Sequence, residues 1–401
     1  MGDGRALQRA ARSRAGSPTP TRPTNGTVGL AAFERLLARV RPAVERRLVR
    51  EWDDARRASR RYDRAVATMI DAARDLTMRG GKRFRAALVV CAYRGLSPRA
   101  PIGPAIDTAA ALELVQTYLL TQDDWIDGDT RRRGGPAVHA ALTTALGRGR
   151  SRAEAAHLGA SSAILASDLT WGRALGILAA LPLPAARVVT TIETLLRIHE
   201  DVVIGQQLDV MGRERDVEIV HELKTGSYTV RGPLLLGAAV AGGGPRFAKA
   251  LDSYARPLGV AFQLRDDLLG TFGRRAETGK RAAGDLLAGR RSAVLAEAEG
   301  RLDATGRRAV ERVRGRGSAP ARDVAAAVRA LATCGARAAV ETRLAELCAA
   351  AEVAAASLPL APSARLELAG AATMLRPSGW PTPSARRVLG RRKSGKRGGR
   401  P

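Results

Sequence analysis

The residues with the clearest capacity for chemistry are the carboxylates of Asp123-Asp124-Trp125-Ile126-Asp127, which close the apolar run ALELVQTYLLTQ. On a helix, Asp123 and Asp127 are four apart and share a face. Asp124 is turned about 100° away. Three carboxylates at the end of an apolar helix are costly without a partner. A hard divalent cation such as Mg2+ is a natural one, because it takes oxygen ligands and bridges carboxylates to a substrate's phosphates. A second pair, Asp266-Asp267, sits in the apolar stretch GVAFQLRDDLLGTF, with Gln263 one turn before Asp266. Two such clusters suggest two metal-binding rims facing one cavity.

Basic segments accompany both clusters. In Gly80-Gly81-Lys82-Arg83-Phe84-Arg85, Lys82 and Arg85 would share a face if the segment opens a helix, whose N–H groups would also favour phosphate. Arg131-Arg132-Arg133-Gly134-Gly135 follows the first acidic cluster, and Lys224-Thr225 and Lys280 lie further on. Of 66 basic residues only six are Lys, and Lys82, Lys224 and Lys280 all fall in these segments. A compact ammonium gripping a phosphate explains that choice; a solvated face would not select Lys over Arg.

The elements that must position these residues are helical. The chain has 401 residues, 45% hydrophobic and only 3% aromatic, and Ala and Leu favour helices over strands. Phe33, Leu36, Leu37, Val40, Val44 and Leu48 mark one face of a helix starting near Ala31. The helical pattern then continues to about residue 375. It is broken at Gly80-Gly81, Ser97-Pro98, Gly134-Gly135-Pro136, Leu181 to Pro184, Gly242 to Pro245 and Gly315 to Gly317. Strand–helix alternation is missing, which argues against a parallel sheet. The expectation is an all-α fold, a single large bundle around an apolar cavity over 31–375, between basic disordered tails at 1–30 and 376–401. Cys91, Cys334 and Cys348 form no CxxC, and the four His are scattered.

The net charge of +27 invites a nucleic-acid reading. Residues 1–30 and 386–400, however, carry thirteen basic residues against one acidic. The excess is thus partly a property of the tails, and no nucleic-acid partner is expected. The tails would allow weak peripheral membrane contact. No run of eighteen apolar residues appears, nor an apolar signal-type stretch at the start, so a cytoplasmic protein is expected.

GGKRFR (80–85), DDWID…RRRGG (123–135), GQQLDV (205–210), KTGSYTV (224–230), FQLRDD (262–267) and TGKRAAGDL (278–286) together resemble the trans-isoprenyl diphosphate synthases, or polyprenyl synthetases. The resemblance runs from about Phe33 to Ala371. It implies a Mg2+-dependent prenyltransferase that joins isopentenyl diphosphate to an allylic diphosphate, with three Mg2+ per site and Mn2+ able to substitute. Asp123 and Asp127 would hold metal against the allylic diphosphate, supported by Asp124. Asp266 would hold a further ion, with Asp267 beside it. Arg132, Lys224 and Lys280 would contact the allylic diphosphate; Lys82, Arg85, Gln116 and Arg133 would bind isopentenyl diphosphate. Thr225 and Gln263 would face the developing cation. No side chain presents itself as a base, so the departed diphosphate would take the final proton. A homodimer is implied.

Two positions depart from the pattern. Gly270 stands where many members have Asp, and restoring Asp there should tighten the Mg2+ dependence. Arg290 stands where a Lys often caps the site, and altered closure is expected. Tyr118 and Leu119, five and four residues before Asp123, would floor the cavity, against products of thirty carbons or more. Leu119 is smaller than the second aromatic of many farnesyl synthases, which favours geranylgeranyl over farnesyl diphosphate. A terpene cyclase shares DDxxD, but this chain has no NSE-type second motif, and GGKRFR would be purposeless there. A non-catalytic subunit would not need both acidic clusters.

Overall fold

The computed structural model describes residues 25–211, 222–273 and 283–376. Both distal tails and Lys280 lie outside these ranges, as do the side chains of Lys224 and Thr225. Helices carry almost all of what is described. Helix α1 spans Asn25–Ala58, beginning six residues before the Ala31 that the apolar spacing marks. Its stripe of Phe33, Leu36, Val40, Val44, Leu48 and Trp52 is fully buried, while Leu37 is only partly covered.

Two helices form the centre. Helix α3 (Phe84–Leu96) buries all but three of its residues, and α4 (Gly103–Ile126) is buried almost continuously from Pro104 to Tyr118. Their sequences are apolar on every side, as a helix surrounded by others requires. Around them pack α2 (Arg64–Met78), α5 (Val138–Leu146), α6 (Arg152–Ala179) and α7 (Ala185–Met211). Helix α6 opens with a capping box, in which Ser151 and Glu154 each accept from the other's backbone N–H. A wide-turned π-helical segment, Glu222–Arg231, leads into α8 (Gly232–Ala241) and then α9 (Pro245–Phe272). The short helices α10 (Gly284–Leu287), α11 (Ala293–Glu299) and α12 (Ala304–Glu311) follow, then α13 (Ala321–Thr333), α14 (Ala336–Ser357) and α15 (Pro362–Leu375). The expected breaks at Gly80-Gly81, Ser97-Pro98, Leu181 to Pro184 and Gly242 to Pro245 all fall between helices.

The one described sheet is a two-stranded hairpin after α4, Arg131–Arg132 (β1) against Gly135–Pro136 (β2). Its two turn residues, Arg133 and Gly134, have φ of 51° and 78°. Positive φ at both positions is what a tight hairpin needs, and it is strained at a non-glycine. Arg79 holds the hairpin down by donating to Arg132 O (2.9 Å) and Pro136 O (2.7 Å). A Cβ on Gly135 would lie inside that guanidinium.

Closure of the bundle depends on a glycine. Helix α15 returns against the start of α1, where a Cβ on Gly370 would lie 1.9 Å from Gly29 O and 2.8 Å from Leu30 N. Both obstacles are backbone, so the two helices must separate to admit a methyl group. Gly370→Ala should therefore lower stability by about 1–3 kcal/mol, the usual cost of overpacking. Gly172→Ala, where a Cβ meets nothing within 4 Å, should leave the thermal midpoint unchanged or slightly raised. Equal midpoints for the two variants would show that the α1–α15 contact is softer than its geometry implies.

Candidate active site

The first acidic cluster closes α4. Asp124 is completely buried, whereas the side chains of Asp123 and Asp127 keep 23% and 22% of their exposure. This is the division that helical spacing requires, with two carboxylates on the open face and one turned inward. Arg132, brought back by the hairpin, pairs with Asp124, with Asp123 at 3.0 Å and with Asp129 at 3.5 Å. Burial raises the Asp124 carboxyl to about 6, with Arg132 opposing the rise. The other Asp124 oxygen, Oδ2, has no hydrogen-bond partner among the described residues.

The second cluster lies within α9, one and a half turns before its end. Asp267, expected beside the metal-holding Asp266, is 4% exposed. It accepts from the Gln263 amide and from Ala293 N, both at 2.7 Å. Asp267 thus ties the first residue of α11 to α9, a structural anchor directed away from the rim. Burial, its largest influence, raises it to about 7.

Arg290 ties the first cluster to α10. Its guanidinium is 2.5 Å from Asp127, 3.3 Å from Asp129 and 3.6 Å from Asp285. Asp285, on α10, is the residue that explains Gly270. A Cβ at position 270 would lie 1.7 Å from Asp285 Oδ2 and 2.6 Å from its Cγ. The place that a side chain at 270 would take is filled by a carboxylate from another element. Neither Asp129 nor Asp285 stands out in the sequence, because their roles come from the hairpin and from α10.

Opposite lies a cationic cluster. Gly80 and Gly81, both with φ near 113°, form a turn that only glycine adopts easily, and Arg133 donates to Gly80 O at 3.1 Å. Lys82 belongs to this turn and precedes α3, so it does not share a helix face with Arg85 as expected. Arg83 is the unforeseen member. It is the αL cap of α3, 2% exposed, and it donates to Glu113 (2.5 Å) and to Thr77 O (2.9 Å). Arg85 donates to Thr229 (2.8 Å) and stacks over the Tyr228 ring at 4.8 Å. Burial lowers the Arg133 pKa; Glu113 opposes this, and Arg83, Arg85 and Arg132 lower it further. Guanidinium groups gathered at that cost suit an anionic ligand. Gln116, one turn after Glu113, is buried with its Oε1 unpartnered.

The π-helical segment carrying Lys224 and Thr225 meets α9 where Gly226 Cα would lie 3.0 Å from a Cβ on Gly259. That close approach brings Lys224 and Thr225 to the helix that holds Gln263 and Asp266. Tyr118 lies lower on α4, 7% exposed, with its hydroxyl 3.0 Å from His199 Nε2; Leu119 packs partly buried beside it. Burial raises the Tyr118 phenol, while a hydrogen bond with Gln122 works against that rise.

The donors fit Mg2+: exposed carboxylates at both rims, an unpartnered buried oxygen on Asp124, and no soft ligand among them. Among the described residues, no three such groups converge tightly enough to hold an ion unaided. A substrate's phosphates would complete the coordination.

Two outcomes follow. Gly270→Ala and Gly270→Asp must both displace Asp285, so each should raise the Mg2+ concentration for half-maximal activity; the sequence alone predicted the reverse for Asp. An unchanged Mg2+ requirement in Gly270→Ala would show that Asp285 plays no part. The second outcome concerns pH. Asp124 and Asp267 have raised folded pKa values, so their contribution to stability is present at low pH and lost as pH rises through about 6 to 7. In chelator-treated protein, the thermal midpoint should fall as pH rises from about 4 to about 7 and level off above, and Asp267→Asn should flatten that fall. A profile identical to wild type would contradict the burial assigned to Asp267.

Comparison with known proteins agrees with this geometry. Residues 66–331 match the polyprenyl synthetase family. Geranylgeranyl diphosphate synthase of Methanosarcina mazei is 29% identical over 274 residues, covering 66% of this chain and 76% of that one. Farnesyl diphosphate synthase of Geobacillus stearothermophilus is 31% identical over 221 residues, 51% of this chain and 67% of its own. The crystal structure of geranylgeranyl pyrophosphate synthase from Corynebacterium glutamicum, complexed with isoprenyl diphosphate and magnesium, superposes with a TM-score of 0.79 at 29% identity. It covers 85% of this chain and 99% of that one. This chain therefore belongs to the polyprenyl synthetase family and is a trans-prenyltransferase of its short-chain branch.

Proposed function

We propose that the enzyme condenses isopentenyl diphosphate with allylic diphosphates (dimethylallyl, geranyl and farnesyl) to all-E geranylgeranyl diphosphate. The observation that carries this reading is the pairing of two acidic clusters, on α4 and on α9, with a separate guanidinium cluster. Two diphosphates need two sites of different character: one where a leaving group is neutralised, one where a diphosphate is only held.

Asp123 and Asp127 at one rim and Asp266 at the other would hold Mg2+, three ions per site, with Mn2+ able to substitute. Bound Mg2+ supplies neutralisation of the charge that builds on the leaving diphosphate. Arg132 already lies among the carboxylates, so its charge is in place beside the breaking bond without reorganisation. Lys224 and Lys280 would add to it. Lys82, Arg85, Gln116 and Arg133 would hold isopentenyl diphosphate. The Gln263 amide is oriented by its bond to Asp267, so that its dipole, with that of Thr225, can face the allylic cation. Arg290, on Asp127 and Asp129, would close the first rim over substrate. The apolar side chains of α3 and α4 exclude water from the cation. The proton lost at the end goes to the released diphosphate.

Tyr118 supports twenty carbons over longer products, because its ring stands a little over one turn below Asp123. Relatives are named farnesyl, geranylgeranyl and geranylfarnesyl diphosphate synthase, a range centred on twenty carbons, and farnesyl diphosphate is the alternative product. A homodimer is supported by exposed apolar residues on two adjacent helices, Ile164 and Leu165 of α6 with Leu196, Val203 and Ile204 of α7. No described helix is long and apolar enough to cross a membrane, which supports a cytoplasmic location.

Incubation with labelled isopentenyl diphosphate and each allylic primer should give a twenty-carbon product from all three. Products fixed at fifteen carbons would favour farnesyl diphosphate, and no condensation would overturn the reading. Asp123→Ala and Asp127→Ala should each lower kcat on the order of 10²–10³-fold at saturating Mg2+. The helical circular dichroism should be unchanged, since neither side chain is in the core. Near-normal rates in either variant would remove the first rim from the mechanism.

A further inference from the structure

Tyr118 does not stand alone. Three helices each contribute one ring to a single cluster: Tyr118 from α4, Trp171 from α6 and His199 from α7. Trp171 and His199 are stacked, with centroids 4.2 Å apart and planes 27° apart. Tyr118 lies 5.4 Å from Trp171 and 5.5 Å from His199. The Tyr118 hydroxyl meets His199 Nε2 at 3.0 Å. Burial lowers the His199 pKa, which favours the neutral ring.

We propose that Trp171 and His199 are specificity-determining residues, which lock Tyr118 in place so that the three rings together set the length of the product. The proposal rests on the prenyltransferase reading and on Tyr118 lying in the path of the growing chain. A single aromatic side chain on a cavity wall can swing to another rotamer when an apolar tail presses on it. Tyr118 cannot do so without breaking its bond to His199. Its ring is also flanked by the indole and the imidazole, so displacing it gives up both tilted ring contacts with a pair held on two other helices. Tyr118 supplies the bulk, and the other two supply the rigidity.

The test is product length, which a merely structural cluster would not change. His199→Ala, Trp171→Leu and Tyr118→Phe are compared with wild type and with Tyr118→Ala, each with dimethylallyl diphosphate and labelled isopentenyl diphosphate. His199→Ala and Trp171→Leu should move the main product up by at least one five-carbon unit, with the first condensation rate within about twofold of wild type. Tyr118→Phe keeps the ring and loses only the hydroxyl, so it is the variant least able to disturb folding. It should yield a mixture extending beyond the wild-type length. His199→Gln, which retains a hydrogen-bonding group, should restore the wild-type length. The proposal is overturned if Tyr118→Ala lengthens products while His199→Ala, Trp171→Leu and Tyr118→Phe do not, because Tyr118 then acts alone. It is equally overturned if none of the four lengthens them, since the floor then lies elsewhere. Failure of wild type to condense anything would instead refute the underlying reading, before any variant is compared.

Discussion

The site is organised by the need of a buried carboxylate for a counter-charge. Asp124 has no exposure, and Arg132 pairs with it. That pairing requires the chain to turn back within eight residues, which the Arg131–Pro136 hairpin does. The hairpin in turn needs Arg133 and Gly134 at positive φ and Arg79 beneath it. With Arg132 fixed, Asp123 and Asp127 are left on the open face and Arg133 is delivered to the guanidinium cluster on the other side. One ion pair thus separates two charged regions that would otherwise merge. Arg290 repeats the device between the first rim and α10, meeting Asp127, Asp129 and Asp285.

Much of the site was legible because its chemistry is local. DDxxD places carboxylates on a helix by spacing alone, and the 3.6-residue period shows which one turns inward. The scarcity of Lys singled out Lys82, which the structure places just before α3, whereas Lys280 lies outside the described residues. Helix breaks were legible too, since Gly and Pro punctuate the chain where helices end.

What the sequence did not disclose depends on contacts between distant elements. Asp267 looks like its neighbour Asp266, and only the arrival of Ala293 N shows that it faces inward. Gly270 reads as a lost ligand until Asp285 is seen in the space it leaves. Arg83 looks like one more base in an Arg-rich segment, yet it is the buried partner of Glu113, thirty residues on. Trp171 and His199 give no local signal, because each is the only aromatic ring its helix adds to the cluster around Tyr118. The boundary of α1 was misplaced for a simpler reason: its first turn, Asn25 to Leu30, carries too few apolar residues to show a period.

The central claim is that these rims bind a diphosphate through divalent cations, and that Arg290, now on Asp127, turns to it. A crystal structure with Mg2+ and an unreactive allylic thiodiphosphate tests this most directly. The account predicts metal on Asp123 and Asp127 at one rim and on Asp266 at the other, with Arg290 withdrawn from Asp127 toward the diphosphate and Asp267 still bonded to Ala293 N. An analogue bound elsewhere, with Arg290 still on Asp127 and no metal at either rim, would contradict it.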